Sequence, residues 1–201
     1  MAKQPKVQSN QNSVSPREKV LVAAEHCFME RGYAAVTLRD IAAEVGIKHA
    51  SLYHHVPGGK EELFIEVVER SLARHKTGLT ESIQAADPTV RSQLHGIADW
   101  LLSQSPMDLV RIAQSDMPAL PPEHAGRLAQ MVHETILIPV QSIFETGIAR
   151  GELKSISPGL LAGGVVGMIE SLFSMPDYAI RGSRAQMGRD LVDHFLDGIL
   201  A

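Results

Sequence analysis

The chain has 201 residues, of which 44% are hydrophobic, and carries a formal net charge of −4. This size and composition are typical of a globular protein with one small and one larger domain. No apolar run reaches the roughly 18 residues of a membrane span, the polar N-terminus lacks a secretory signal, and the single cysteine excludes an internal disulfide. We therefore expect a cytoplasmic protein with no membrane partner.

The charge is unevenly distributed along the chain. Residues 1–60 carry eight Lys and Arg against five Asp and Glu, whereas the rest of the chain is acidic. A basic N-terminal quarter on an acidic body suggests a small module that faces an anion. The excess is mild, so it carries little weight without a motif.

The first elements are a polar arm and an amphipathic helix. Residues 1–15 are rich in Gln, Asn, Ser and Lys, which predicts a disordered arm. A helix is predicted from about Pro16 to Arg31, ended by Gly32. Cys27 lies on its apolar stripe, so we interpret it as a small buried side chain, with a redox sensor as the alternative.

Two short helices come next. Thr37 is a good N-cap and Asp40 lies three residues further on, in the capping-box position, which predicts a helix that Gly46 ends. A third helix is predicted over about 48–54, before the break at 57–59. Two short helices around a Gly turn predict a helix-turn-helix.

The remaining segments also have helical periodicity, and strand-like alternation is absent. One long helix, bent at Pro139, is predicted from about Pro122 to Arg150. We therefore predict an all-α chain of about nine helices, with a three-helix helix-turn-helix domain over 16–62 and a larger helical domain over 63–201. One of the other predicted helices begins near Lys60, and the rest cover about 88–102, 106–115, 158–174 and 183–200.

The outer face of the third helix would be free to enter a major groove. It carries hydrogen-bonding side chains, and small Ala50 would let the backbone approach the bases. Side chains at the flanks can donate to phosphates. The face comprises Lys48, His49, Ser51 and His54, and the flanking donors are Thr37, Tyr53 and Lys60. The alternatives are a helix-turn-helix used only for packing, a half-buried packing role for Tyr53, and simple solvation of His54 and His55.

Three histidines within seven residues also raise the possibility of a metal site. His49 and His54 are five residues apart, whereas ligands on one helix face favour a spacing of four. His54 and His55 diverge by about 100° on a helix. No carboxylate or cysteine joins them, so we predict no metal.

The stretch "TLRDIAAEVGIKHASLYHHVPGGKEELF" resembles the DNA-binding segment of the TetR family of bacterial transcriptional regulators, and the likeness covers about residues 17–65. The resemblance implies a homodimer that reads palindromic double-stranded operator DNA and that a small molecule in the C-terminal domain controls. It implies phosphate contacts from Thr37, Tyr53 and Lys60. The base contacts would come from His49, Ala50, Ser51 and His54. Lys48 would lie at the start of the recognition helix, and His55 belongs to the same DNA-binding segment.

Three features depart from the family pattern. Lys48 replaces a capping Ser or Thr, so the third helix loses a side-chain cap. Val56 replaces a Phe, which reduces packing. The turn before Lys60 is one residue longer, which puts the phosphate contact of Lys60 in doubt.

The larger domain offers a possible effector site. Methionines, a tryptophan and scattered polar groups would suit a plastic, mostly apolar pocket for an apolar or amphipathic compound. The alternative is that these residues are ordinary core, His133 included. The candidate set is Trp100, Met107, Met117, Met131, His133, Leu137 and Phe144.

The last two helices suggest a dimer interface. Glycines inside a helix cost about 1 kcal/mol each, so three of them within five residues suggest close packing against a partner. The alternative is that both helices bury against their own domain. The candidate set is Gly163, Gly164, Val165, Gly167, Met168, Leu172, Leu191 and Phe195.

These patterns together predict a sequence-specific DNA-binding regulator, a homodimeric repressor that a small molecule releases from its operator. The sequence shows no nucleophile–base pair or phosphate-cradling Gly loop, so we predict neither an enzyme nor a cofactor. The alternatives are a regulator controlled by a protein instead of a small molecule, and a helical enzyme with a site assembled from distant residues.

Overall fold

The computed structural model describes residues 15–105 and 109–199, which form α-helices and short π and 3₁₀ turns without a β-strand. The all-helical fold predicted from the sequence is confirmed. Residues 1–14 of the predicted arm, which was residues 1–15, lie outside the described residues. The helices are α1 (Pro16–Ala35), α2 (Leu38–Val45), α3 (His49–Leu52), α4 (Gly59–Ala85), α5 (Val90–Ser103), α6 (Leu109–Arg111), α7 (Pro122–Val132), α8 (Ile138–Ala149), α9 (Pro158–Ser171) and α10 (Arg184–Asp197).

Helix α1 begins at Pro16, the residue predicted from the sequence. Ser15, assigned above to the arm, is its N-cap and accepts a hydrogen bond from the Glu18 N–H at 3.1 Å. The helix is interrupted at Gly32, where φ is 78°, and then continues for three residues. This left-handed turn is favourable only for glycine, and it brings the end of α1 round to the start of α2.

Helix α2 matches its prediction because its signals are local. Thr37 and Asp40 form the full capping box, and Gly46 ends the helix in the left-handed conformation with φ at 77°. Helix α3 is shorter than the predicted 48–54 and covers four residues before turns follow. Lys48 at its N-cap makes no side-chain cap, so little favours a longer helix.

Helix α4 runs from the helix-turn-helix into the larger domain. Its 27 residues extend about 40 Å. Its first part packs on α1 through Phe64, whose ring meets Phe28 edge-on at 5.1 Å and Tyr33 at 4.9 Å. Ion pairs between Arg70 and Glu18, and between Arg74 and Glu25, add to this contact. The connection between the helix-turn-helix and the larger domain is therefore a continuous helix that packs on α1.

The larger domain is built around α5, which packs against α4, α8, α9 and α10. Polar contacts hold α10 to α5: Arg91 pairs with Asp193 and Asp197, and Arg189 pairs with Asp99 at 2.8 Å. Apolar residues fill the space beneath these pairs. The fully buried ones include Leu94, Ile97, Ala98, Val140, Phe144, Ala162, Val165, Ile169 and Val192.

The bend predicted at Pro139 takes the form of a widened turn. Pro139 has no N–H to donate to the carbonyl of Thr135, and the preceding turn, His133–Leu137, is π-helical. A second π turn, Ile112–Asp116, follows α6. The first turn connects α7 to α8, and the second leads toward the end of α1.

Candidate nucleic-acid interface

The α2–turn–α3 unit is held to the rest of the chain by its apolar side. Ile41, Ala42 and Leu52 are buried, and Val56, the smaller residue noted above, is also in the core. The Gly46 turn lets the backbone N–H of Ile47 bond to the carbonyl of Ala42 at 3.0 Å. The opposite side of α3 is therefore left to face outward.

The candidate DNA-binding residues lie on that outward side. Among those from Lys48 to His55, the residues Lys48, Ala50, Tyr53 and His54 are exposed, while the others are half-buried. Tyr53 exposes 51% of its surface, and its ring stands edge-on to His49 at 5.1 Å, one helical turn earlier. The phenol hydroxyl is thus held at a defined place on the surface. The half-buried candidates on this element are His49, Ser51 and His55.

A surface groove of about 480 Å³ brings together four of the candidates predicted from the sequence. They come from three elements: the cap of α2, the helix α3 and the first turn of α4. The groove is also lined by exposed Arg39, which sequence reasoning missed. The sequence feature that could have identified Arg39 is its position in the first turn of α2, two residues after the N-cap. The four predicted candidates are Thr37, His49, Tyr53 and Lys60.

The hydroxyl of Thr37 is already engaged within the protein. It donates to Asp40 Oδ2 at 2.6 Å and accepts from the Asp40 N–H at 3.2 Å. The bond from the Thr37 hydroxyl to Asp40 Oδ2, together with one from the Thr37 backbone N–H at 2.8 Å, lowers the pKa of the Asp40 carboxyl and favours its ionised form. Thr37 therefore positions α2, and its hydroxyl hydrogen is committed to Asp40 rather than to a phosphate.

Lys60 is also tied to its own chain. Its ammonium donates to the Tyr33 carbonyl at 2.9 Å and lies 4.1 Å from the centre of the Tyr33 ring. Two N–H groups of the ammonium are not used by this bond. The longer turn before Lys60 thus places its charge at the base of the groove.

The N-terminal end of α4 is covered by acidic side chains of the same chain. Glu62 folds back over the first turn so closely that a Cβ on Gly58 would collide with its carboxylate. Glu61 also lies in that turn and pairs with His124 on α7 at 2.5 Å. The protein's own carboxylates occupy the positive end of this helix.

No group of three His, Cys, Asp or Glu side chains that could hold a metal ion occurs in the part of the chain that the structure describes. The three histidines of the α3 region spread over its outer surface. What the region offers is a short helix with hydrogen-bonding side chains beside a basic groove.

Residues 20–67 match the family model described as bacterial regulatory proteins, tetR family, and this segment includes α2, α3 and the groove. This segment of the chain belongs to the TetR family. The matches to curated relatives also cover only part of the chain. The HTH-type transcriptional regulator LmrA of Bacillus subtilis is 40% identical over 73 residues, which cover 36% of this chain and 39% of LmrA.

A longer match is found to the HTH-type transcriptional repressor AcnR of Corynebacterium diphtheriae. It is 28% identical over 115 residues, which cover 55% of this chain and 56% of AcnR. This chain therefore matches only about two fifths to just over half of the length of these relatives. The part of the chain whose sequence similarity to the family is located is residues 20–67.

Solved structures extend the likeness in fold to the whole chain. The ketosteroid transcriptional regulator KstR2 of Mycobacterium tuberculosis has a TM-score of 0.75 at 22% identity, over 98% of this chain and 100% of KstR2. AibR, in complex with isovaleryl coenzyme A and operator DNA, has a TM-score of 0.74 at 16% identity, over 90% of this chain and 97% of AibR. These likenesses establish the TetR-family fold. Among the described residues, no helix is long and apolar enough to cross a bilayer.

The candidate effector-binding residues differ in how deeply they are buried. Phe144 is fully buried and its ring packs edge-on against Phe195 of α10 at 6.2 Å, while Met117 is in the core near the end of α6. Met107 lies outside the described residues. Trp100, Met131 and Leu137 are half-buried and pack against the core.

His133 corrects one prediction. It was expected on an apolar helix face, but it is exposed. It follows buried Leu128 by five residues, which turns it about 140° away from that side chain. It therefore points to solvent at the start of the π turn.

The predicted dimer residues fall into two groups. Gly163, Gly164 and Gly167 are exposed on α9, and Met168 is half-buried; Leu191 and Phe195 of α10 are also half-buried. Val165 and Leu172 are buried in their own chain, which corrects their assignment to the interface. In an α-helix the residue two positions after Gly163 points away from it, so Val165 faces inward.

A polar junction connects the two halves of the chain. Asp116, buried in the second π turn, accepts from the Tyr33 N–H at 2.8 Å and from Arg111 Nη1 at 2.9 Å. Arg111 Nη2 donates to the Met29 carbonyl at 2.8 Å. A Cβ on Gly32 would lie 2.6 Å from Arg111 Nη1, so only glycine fits between them.

Proposed function

We propose that this TetR-family chain is a sequence-specific DNA-binding transcriptional regulator that acts in the cytoplasm as a homodimeric repressor. The observation that carries the proposal is α3, a short helix with a polar outer face beside a basic groove. The named regulators among its relatives support the same role. None of them is named as an enzyme.

In this proposal α3 enters a major groove of double-stranded DNA. His49, Ala50, Ser51 and His54 face the base edges, while Lys48 and His55 border this surface. Phosphates lie along the groove, where they meet charged or hydroxyl donors. The phosphate donors that we propose are Arg39, Tyr53 and the remaining N–H groups of Lys60.

A homodimer would present two such helices to the two halves of a palindrome. The exposed face of α9 supports this assembly. Leu160 on that face is 70% exposed, and a Cβ on Gly163 or Gly167 would meet no atom within 4 Å. Such an open, small-residue face allows a helix of a second copy to approach closely.

We propose that a small molecule in the larger domain releases the dimer from DNA. An effector that prefers the spacing unable to bind DNA draws the population away from the operator. AibR, which shares the fold, is a precedent because its structure contains both isovaleryl coenzyme A and operator DNA. The Arg111–Asp116 junction would carry the change to α1, since it joins the two halves.

The test is the affinity of the full chain for a 30-base-pair duplex over a range of salt concentrations. Tyr53→Phe removes one hydroxyl and keeps the ring. We expect about tenfold weaker binding to any sequence, and a salt dependence shallower by about one phosphate contact. Tyr178→Phe, at a tyrosine that is 92% exposed, is the matched control and should bind like the wild type. Wild-type protein with no salt-dependent affinity for DNA would refute the proposal.

A further inference from the structure

Two rings at the centre of the larger domain carry unsatisfied polar atoms. His75 on α4 is 3% exposed, and neither ring nitrogen has a hydrogen-bond partner in the described part of the protein. The indole Nε1 of Trp100 on α5 is likewise buried and unpartnered. The two rings stand edge-on with centroids 6.4 Å apart. All the unsatisfied buried side-chain atoms found in the described residues therefore lie in this one ring pair.

Such an arrangement is unfavourable unless something binds there. Nearly all buried polar side-chain atoms in proteins find a hydrogen-bond partner, because an unpaired one loses its bonds to water without replacement. His75 occupies a position on the inner stripe of α4, between Leu72 and Leu79, where an apolar residue would fit the pattern. The polar ring of His75 therefore lowers the stability of the fold at this one position.

The backbone is adapted to this ring pair. Gly78, three residues after His75, lies directly against the indole, and a Cβ there would collide with Trp100. The missing side chain lets α4 and α5 approach and fixes the indole next to the imidazole. On its other sides α4 packs against α7 and the 133–137 turn, which contribute the half-buried apolar side chains of Met131 and Leu137.

The protonation state of His75 defines what can bind. Burial, reinforced by the charge of Arg74, lowers the pKa of His75 to about 4, so the ring is neutral at pH 7. A neutral imidazole offers one donor and one acceptor, and the indole offers one donor. The two imidazole nitrogens point away from each other, so a single hydroxyl group can bond to the indole N–H and to one of them. A carboxylate would bring a charge that is costly to bury beside a neutral ring, and a hydrocarbon matches none of the three atoms.

We propose that His75 and Trp100 are the polar anchor of the effector site, and that the effector is a mainly apolar molecule bearing a neutral hydroxyl group. The hydroxyl accepts from the Trp100 Nε1–H and forms a second hydrogen bond with the imidazole nitrogen that faces it, accepting where that nitrogen carries the proton and donating where it does not. Its apolar body lies against the neighbouring side chains of α7 and the 133–137 turn. This inference rests on the small-molecule control proposed above.

The first test is the thermal stability of the full chain without effector. His75→Leu replaces the unsatisfied ring by an apolar side chain of similar size, so we expect Tm to rise by about 3 °C or more. His133→Leu, at an exposed histidine of the same domain, is the matched control and should leave Tm nearly unchanged. A Tm that is equal or lower in His75→Leu would show that the ring is already satisfied, and would overturn the proposal.

The second test uses Trp100, which is the single tryptophan of the chain, as a fluorescent reporter. Cyclohexanol is titrated against the wild type, with methylcyclohexane and cyclohexanecarboxylate as probes of similar size. We expect a saturable change of Trp100 emission with cyclohexanol, at concentrations at least tenfold lower than for the other two, and its loss in His75→Leu. An absent response, an equal response to the hydrocarbon, or a response retained in His75→Leu would each overturn the anchor.

Duplex DNA affinity is measured on the same samples. His75→Leu should bind DNA like the wild type, because His75 lies outside the DNA-facing groove. If the wild type binds no DNA but Trp100 responds to cyclohexanol, the proposed function fails and the anchor stands. If DNA is bound and Trp100 does not respond, the anchor alone fails.

Discussion

At the residue scale, Tyr53 and Thr37 flank the same groove but differ in what their hydroxyls can offer to DNA. The hydroxyl hydrogen of Thr37 is held by Asp40 inside the capping box. Tyr53 is half-exposed, and its ring is steadied by His49. The sequence predicted phosphate contacts from both residues. Which hydroxyl is free to donate to a phosphate depends on hydrogen bonds that only the structure shows.

The base-facing residues give a prediction about specificity. His49→Ala and Ser51→Ala remove hydrogen-bonding groups from the outer face of α3, so each should change the preferred base at one position of the site by about 1–3 kcal/mol of discrimination. The measurement is the affinity for single-base variants of a bound sequence. Ser155→Ala, at an exposed serine between α8 and α9, is the control. Unchanged preference in both α3 variants would remove them from the base-reading set.

His75 gives a prediction about pH. Its pKa of about 4 in the folded chain lies below the ordinary histidine value of 6.5, so the unfolded chain binds a proton more readily. The contribution of the neutral His75 ring to the free energy of unfolding is therefore complete above pH 6.5 and is lost as the pH falls toward 4. Between pH 7.5 and pH 5 we expect the wild type to lose about 2 kcal/mol more stability than His75→Leu. Urea unfolding at the two pH values measures this, and equal losses would contradict it.

At the element scale, the parts predicted well are those whose causes are local in sequence. The N-cap of Thr37, the Asp40 capping box and the Gly46 stop are all within ten residues, and α2 forms as expected. The ends of α3 were less certain because Lys48 supplies no cap. A proline inside a helix predicted a distortion, but its form as a π turn depends on packing against α4.

The parts that the sequence did not reveal depend on distant contacts. Asp116 bonds to Tyr33 across 83 residues, and no local pattern pairs them. His75 did leave a signal, a histidine on the apolar stripe of α4, but its lack of partners is visible only once α5 is in place. Val165 was assigned to a partner, because the small-residue pattern of α9 does not say which side faces its own core.

The junction between the two halves gives a stability prediction. Asp116→Ala leaves the part-buried Tyr33 N–H and the half-buried Arg111 without the buried carboxylate, so the free energy of unfolding should fall by about 3 kcal/mol. Asp177→Ala, at an exposed aspartate that also pairs with an arginine, should change it by less than about 0.5 kcal/mol. Equal effects in urea unfolding would mean that the junction contributes no more than a surface pair.

The exposed face of α9 gives a prediction about assembly. Gly167→Glu places a charged side chain on the proposed interface, so we expect dimers to dissociate into monomers at micromolar concentration. Gly126→Glu makes the same change on the exposed side of α7, where a Cβ also meets no atom within 4 Å, and should leave the dimer intact. Sedimentation velocity distinguishes the two species. A dimeric Gly167→Glu would show that α9 does not form the interface.

At the scale of the whole molecule, α4 connects the proposed effector anchor to the DNA-facing groove. Lys60 lines the groove near one end of this helix, and His75 lies 15 residues further along, about 22 Å away. A second connection runs through Asp116 to the end of α1. A hydroxyl-bearing molecule that moves α4 against α5 is therefore expected to shift α2 and α3, and in a dimer the spacing between the two copies of α3.

The measurement that tests the central claim most directly is selection of bound sequences from a random pool of duplex DNA by the purified full chain near physiological salt. A dimer that reads DNA through two copies of α3 predicts an enriched palindrome, with half-sites about one helical turn apart. The enrichment should be lost with Gly167→Glu and kept with Gly126→Glu. A pool that stays unenriched, with only weak and salt-sensitive binding, would contradict the claim that α3 reads bases.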